Sequence, residues 1–498
     1  MHPIEKSFAE YLREYADARP DHRFLFDEER SLTVEQVYRL TVALGNRLHA
    51  LGIREGNSVA LRCTRSIDTC ILFLTLESMG AMVLLTDPHS GVEKFLADAG
   101  VTADFCITNE HSTDDISANG SWEVLGKGAL TIGSDPAYEP RIYPPVSSVH
   151  APGAVVFTSG STGKCKGVML SQYNMVNHIR NFSLSGCYFE DDVSAEMLPV
   201  HHVFGLAVLL MGLIKRYAIF FPKALDIPYI GTCIEQHRIT RLDGVPSFAL
   251  ALARHHQESG FRSDSLRVGV LGGAPSTKAQ FDFIEQELGL KLLPVYGQSE
   301  CIGITGANET QPTDVRSSSV GKFLTMNEGV LLDEFGNEVP AGTEGEICVK
   351  GPAVMLGYLN DPEATRQAID DLGRLHTGDL GYLDEDGNLH ISGRKKEIII
   401  RNGNNISAGK IELAVLSLEG VAAAAAVGVS HPKYGEVPCV LAVLKPGVAI
   451  TEDRMKDALK AILARNEIPE TILFADAMPM TSSGKPDKQT IKTMFARQ

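Results

Sequence analysis

The chain lacks any paired-cysteine pattern: its nine cysteines are scattered from Cys63 to Cys439 with no Cys-x-x-Cys among them. Such scatter suggests neither a disulfide framework nor a zinc site. Basic charge is also short, with 46 Lys and Arg against 62 Asp and Glu for a net charge of −16. A nucleic-acid partner is therefore not expected, because phosphate backbones are bound by a surplus of cations. Any anion has to be held locally. Long apolar runs are missing too. Val203 to Ile214 reaches only a little over half of the ~20 residues that span a bilayer, so no integral membrane segment is expected. The opening Met1-His-Pro-Ile-Glu-Lys-Ser is polar and lacks the basic-then-apolar order of a secretory signal, and a cytoplasmic location is the expectation.

What is present is enough apolar material, 44% of 498 residues, for more than one core. Helical and strand-like patterns alternate from the start. Ser31 precedes an amphipathic run from Val34 to Leu51 that Gly52 closes, and Ser58 to Arg62 reads as a strand. An apolar helix from Ile67 to Met79, a stop at Gly80 and a strand from Met82 to Leu85 repeat the order, which is α/β architecture. Residues 119–149 shift towards Gly, Pro and Ser and read as a connecting region. Further on, Gly345 to Lys350 reads as a strand and Asp384 to Ile391 as a hairpin. In the last hundred or so residues a helix near Gly409 and strands near Ala422 to Val429 and Cys439 to Leu444 suggest a small α+β unit.

The most telling segment is Val155-Val-Phe-Thr-Ser-Gly-Ser-Thr-Gly-Lys-Cys-Lys-Gly167, an apolar run that empties into glycines, hydroxyls and lysines. Gly160, Gly163 and Gly167 let backbone N–H groups approach an anion. Thr158, Ser159, Ser161 and Thr162 add hydroxyl donors, and Lys164 and Lys166 add charge. The segment is no Walker loop, since that spacing requires glycine at position 158, which is threonine.

Four further segments follow in order: Val295-Tyr-Gly-Gln-Ser-Glu300, Leu375-His-Thr-Gly-Asp379, Gly393-Arg-Lys-Lys-Glu397 and Ser483-Gly-Lys485. Together with the phosphate loop, this set resembles the adenylate-forming superfamily of acyl-CoA synthetases, peptide-synthetase adenylation domains and beetle luciferases. The likeness runs from Ser31 to Lys485. It implies a large N-terminal α/β region of several subdomains, residues 1–394, and a small mobile C-terminal α+β domain, residues 395–498. It also implies ATP, Mg2+ and coenzyme A as reactants or cofactors, with a small carboxylic acid as substrate and an acyl carrier protein as a possible alternative acceptor.

The resemblance assigns roles residue by residue. Adenylation brings two anions together, so cations are required at the reacting phosphate. Glu300 would hold the magnesium, with Thr162 beside it. Thr158 to Lys164 and Lys166 would bind phosphate. Tyr296, with Gly297 and Ser299 after it, would stack on the adenine against a wall of Gly272, Gly273, Ala274 and Pro275. Asp379 would accept both ribose hydroxyls, and Arg394 would reach the ribose or phosphates. Lys485 would be the catalytic lysine that bridges the carboxylate and the α-phosphate, delivered by a domain swing about Lys396. Gly403 would be passed by pantetheine in the thioester step. Leu198-Pro-Val-His-His-Val-Phe-Gly205 places His202 beside an acyl pocket whose other walls would be Val245, Pro246, Cys301, Ile302 and Gly303. None of these is an acid, which favours an uncharged acyl tail over an amino acid.

Two positions depart from the family pattern. Cys165 stands where proline is common, between two lysines that would favour its thiolate. His201 stands where an aromatic is usual, and side chains of adjacent residues such as His201 and His202 are expected to diverge. The resulting expectation is an AMP-forming acid:CoA ligase. Alternatives are a stand-alone adenylation protein that loads a carrier-protein pantetheine, and a nucleotide sensor without catalysis.

Overall fold

The computed structural model describes residues 2–109, 122–125, 127–130, 132–133, 137–159, 165–184, 186–480 and 486–495. Its largest sheet has eight strands. Phe105–Thr108, Ser58–Arg62, Met82–Thr86 and Pro152–Ser159 lie side by side in parallel, and the antiparallel strand Cys165–Ser171 and the short Gly357–Tyr358 extend one edge. The helix Ile67–Ser78 explains why this sheet is internal. Its sequence is apolar nearly all round, and all twelve of its residues are buried. The one acid among its first residues, Asp68, is matched by Arg30 and by the indole of Trp122, which donates at 3.2 Å.

Several sequence expectations need correction. Ser31 lies in a short strand, Ser31–Thr33, and Thr33 caps the helix Val34–Ala50 in a reciprocal pair with Gln36. The supposed connecting region contributes Trp122–Val124 and Gly128–Leu130, two antiparallel strands on the other edge of the large sheet. Three-residue strands carry too little periodicity to be seen in sequence.

A second body of structure holds the strands Val268–Leu271 and Lys291–Gln298 in parallel, followed by the antiparallel Cys301–Gly306. It is joined to the sheet of Val193–Ala195 and Ala218–Phe220 through Arg241, which makes single bridges to both Ser194 and Val268, while Gly244 bridges Leu271. Arg241 is fully buried there and pairs with Asp243 at 3.1 Å and Asp192 at 3.6 Å, while its guanidinium lies 3.9 Å from the centre of the Tyr188 ring. A four-stranded antiparallel sheet of Glu328–Leu332, Gly345–Lys350, Leu375–Leu383 and Leu389–Arg394 follows.

After a single 3-10 turn, Lys395–Glu397, a five-stranded sheet begins at Ile398. The residues beyond this turn bury their own clusters, one around Ile399, Ile411 and Val440 and another around Val427, Leu441 and Ile491. A hydrogen bond spans the turn, from the Ser407 hydroxyl to the carbonyl of Ser392. Gly393 permits it, because a Cβ at that position would lie 2.5 Å from the Ser407 hydroxyl oxygen.

Candidate active site

Of the predicted site residues, Thr158 and Ser159 end Pro152–Ser159, Gly272 to Pro275 follow Val268–Leu271, and Tyr296 to Glu300 lie at the end of Lys291–Gln298, the carboxyl ends of strands where open α/β sheets place their ligands. Gly160, Ser161, Thr162, Gly163, Lys164 and Lys485 lie outside the described residues. Thr158 and Ser159 end the first strand, and the partner strand returns with Cys165 opposite Ser159 and Lys166 opposite Thr158. Cys165 and Lys166 are thus strand residues and not part of the loop. Burial pushes the Cys165 thiol up, so the thiolate expected from its two lysine neighbours is not favoured.

The Lys166 ammonium lies 4.6 Å from the centre of the Tyr358 ring, whose hydroxyl donates to Glu300 Oε1 at 2.7 Å. Tyr358 was not anticipated. It belongs to a two-residue edge strand, too short for any pattern to mark it. Burial first, and then the Glu300 charge, push its phenol up. Glu300 and Ser299 form the tight turn between Gln298 and Cys301, and the Glu300 carbonyl is fixed by the Met355 N–H at 2.8 Å. The register slips between Tyr296 and Gln298, which makes Gly297 a bulge residue; a Cβ there would collide with the Ile302 carbonyl oxygen.

Tyr296 is buried, and its hydroxyl donates to Asp379 Oδ2 at 2.6 Å. Arg394 Nε forms an ion pair with Asp379 Oδ1 at 3.0 Å, across the strand pair in which Asp379 faces Arg394 directly. The Asp379 carboxylate is therefore oriented by the Tyr296 hydroxyl and the Arg394 charge, and each oxygen keeps a lone pair for a further hydroxyl. Burial of the tyrosine, with the carboxylate beside it, pushes the Tyr296 phenol far up.

Gly273, Ala274 and Pro275 are exposed in the loop after Leu271, and Gly273 adopts φ +80, which favours glycine. Gly272 N–H bonds the Gly244 carbonyl at 3.1 Å and so brings Val245 alongside; a Cβ on Gly273 would lie 3.7 Å from Val245 Cγ1. A Cβ on Gly272 would lie 3.3 Å from Phe204 Cε1, in the helix Val203–Lys215 that His202 starts. The wall of small residues, Val245 and the His-His element thus share one neighbourhood.

The proposed acyl residues divide by burial. His202, Val245 and Ile302 are half-buried, whereas Pro246, Cys301 and Gly303 are buried. Gly303 backs onto His178, since a Cβ on it would lie 2.5 Å from the imidazole Cε1. Cys301 is fully buried and its thiol faces the Gly303 carbonyl at 3.9 Å. His201 and His202 do not diverge as expected. Their ring centres lie 4.7 Å apart, tilted by 37°, at the start of the helix Val203–Lys215. Burial and then the His202 charge push His201 down to about 4, so this imidazole is neutral near pH 7.

Lys396 is exposed in the 3-10 turn. Gly403 and Asn402, at φ +76 and +52, form the two-residue turn of the hairpin Ile398–Arg401 and Asn404–Ser407. At Gly403 the backbone angle and not crowding selects glycine, as no atom of the described residues lies within 4 Å of a Cβ there. The last helix, Lys488–Phe495, opens on a lysine paired with Glu397 and, at 2.8 Å, with Glu412. Met480 and Pro486 bridge across the base of the segment that carries Lys485.

The chain is similar to known proteins over nearly its whole length. Residues 12–359 match the model of the AMP-binding enzyme family and residues 410–485 that of the AMP-binding enzyme C-terminal domain. A 4-coumarate-CoA ligase 1 from Narcissus pseudonarcissus is 30% identical over 94% of this chain and 90% of its own length. A 2-succinylbenzoate–CoA ligase from Bacillus cereus is 30% identical over 95% of this chain and 96% of its own length. Among solved structures, ATP-bound MatB from Rhodopseudomonas palustris superposes with a TM-score of 0.85 over 99% of both chains at 25% identity. With both family models matched in order and full-length relatives at this identity, the chain belongs to the AMP-binding enzyme family.

Proposed function

We propose that this enzyme joins a carboxylic acid with an uncharged tail, aromatic or fatty, to CoA in two steps. The first forms an acyl-adenylate and pyrophosphate; the second passes the acyl group to the CoA thiol and frees AMP. The two-step ligase reaction is supported by the grouping of Glu300, Tyr296 and Asp379 near the end of the strand Lys291–Gln298, in a chain whose relatives, matched over nearly their whole length, are named as CoA ligases.

In this reading Asp379, oriented by Tyr296 and Arg394, takes the ribose hydroxyls, and Gly273 to Pro275 flank the adenine. Lys166 and the preceding loop draw in the triphosphate. Glu300 fits a magnesium ion, because Tyr358 occupies only one of its carboxylate oxygens and the other has no donor among the described residues. When bound, the ion would neutralise phosphate charge. Val245 and Ile302 offer the acyl tail an apolar surface with no acid to hold an ammonium.

Residues 1–394 would act as one body and residues 395–498 as a second that turns about Lys396. The ion pairs of Lys488 with Glu397 and Glu412 tie the last helix to that turn, so the loop carrying Lys485 moves with it. Lys485 serves adenylation; Gly403 faces the pantetheine of the second step. The acceptor is free CoA, and a carrier protein is the alternative. The enzyme works in the cytoplasm.

The test is pyrophosphate release over a panel of aromatic, aliphatic and amino acids, followed by acyl-CoA detection with free CoA. Turnover of an aromatic or fatty acid into its CoA thioester is the expected result. Adenylation confined to α-amino acids, or adenylate that never reaches CoA, contradicts it.

A further inference from the structure

Cys348 and His376 face one another across the strands Gly345–Lys350 and Leu375–Leu383, and Glu346 precedes Cys348 by two positions on the same strand. Residues two apart on a strand share a face. Cys348 Sγ lies 3.4 Å from His376 Nδ1, which lies 3.3 Å from Glu346 Oε2, and the three donor atoms are all within 4.8 Å of one another. We propose that Glu346, Cys348 and His376 form a zinc-binding site at the foot of the turn that leads to the C-terminal residues.

The geometry suits zinc in three ways. A tetrahedral zinc with Zn–S of about 2.3 Å and Zn–N and Zn–O of about 2.0–2.2 Å sets its ligands roughly 3.4–3.6 Å apart, close to the spacings already present. The donor set of thiol, imidazole and carboxylate selects zinc over magnesium, which takes oxygen ligands. The second imidazole nitrogen, His376 Nε2, lies 3.5 Å from Asp370 Oδ2, the outer carboxylate that leaves Nδ1 as the ligand. Asp370 is itself fixed by Arg374 Nε at 2.7 Å. Binding displaces the Cys348 thiol proton to solvent and involves no redox change.

The site is in competition with a lysine. Lys395, in the 3-10 turn, donates to Glu346 Oε2 at 3.0 Å, the same oxygen that faces His376. The Lys395 ammonium repels a divalent ion at that oxygen, so zinc binding weakens the contact that ties the turn next to Lys396 to the sheet. No sequence motif marks this site, because Cys348 and His376 are 28 residues apart and only strand register brings them together.

The experiment titrates cobalt(II), as a spectroscopic stand-in for zinc, into the metal-free full-length chain. One equivalent is expected to raise a near-ultraviolet thiolate-to-cobalt band that zinc removes and a large excess of magnesium does not. Cys348→Ser should abolish the band, His376→Gln and Glu346→Gln should weaken binding about 10–100-fold, and Lys395→Ala should tighten it. A band that survives in Cys348→Ser, no binding at stoichiometric metal, or weaker binding in Lys395→Ala overturns the proposal. If Cys348→Ser fails to fold, undiminished affinity in His376→Gln and Glu346→Gln overturns it equally.

Discussion

Tyr296 donates its hydroxyl to Asp379 Oδ2 at 2.6 Å while Arg394 holds Oδ1 at 3.0 Å, so the carboxylate is fixed in place from two different strands. An Asp379→Asn substitution keeps the shape and exchanges one acceptor for a donor that has to face Tyr296 or Arg394. It is expected to raise the KM for ATP about 10–100-fold, as hydrogen bonds to a charged group contribute about 1.5–3 kcal/mol. The KM for the acid should stay within a few fold. Initial rates of pyrophosphate release with each substrate varied in turn make the comparison; an equal rise in both constants would mean the site had collapsed.

Glu77 sits fully buried in the helix Ile67–Ser78, and among the described residues neither carboxylate oxygen has a hydrogen-bond partner. Burial pushes its pKa up to about 8 from an ordinary 4.5. Between these two values the folded chain keeps a proton that the unfolded chain has lost, so stability declines as pH rises from about 4.5 to about 8. The upper bound of this loss is on the order of 5 kcal/mol. Glu77→Gln should flatten the decline and raise the thermal midpoint at pH 8 more than at pH 5. An equal change at both values would refute the assignment.

His201 produces the opposite slope. Its folded pKa of about 4 lies below the ordinary 6.5, so the unfolded chain binds the extra proton and stability falls as pH drops through that window. Its Nδ1 is also buried without a partner among the described residues. His201→Phe removes both penalties, and a gain of about 1–3 kcal/mol in denaturant unfolding is expected at pH 5. Loss of stability at that pH would show that the imidazole is satisfied in solution.

Most of the α/β order was legible in the sequence because the helix Val34–Ala50 carries its period over several turns and Ile67–Ser78 is an apolar run too long for a strand. The strand Ser58–Arg62 stood out by its apolar run, and Asp379 by its motif. What escaped notice depended on register or on very short elements. The edge strands Trp122–Val124 and Gly128–Leu130 lay in a stretch whose Gly, Pro and Ser content signalled only a linker. Tyr358 reaches Glu300 from a two-residue strand, and the Cys348–His376 pairing exists only once two strands are aligned. Cys165 misled for a related reason: its charged neighbours were visible, whereas the burial that governs its thiol was not.

In the proposed mechanism one reaction centre is completed by Lys485 for adenylation and vacated by it for thioester formation. Removing the ammonium that stabilises the transition state typically costs on the order of 100- to 1,000-fold. Lys485→Ala is given either acid plus ATP or presynthesised acyl-adenylate, each with CoA, and acyl-CoA is measured by chromatography. Adenylate formation is predicted to collapse by that factor while thioester formation from the supplied adenylate stays within a few fold of the unsubstituted enzyme. Equal loss in both assays, with an unchanged thermal melt, would contradict the account.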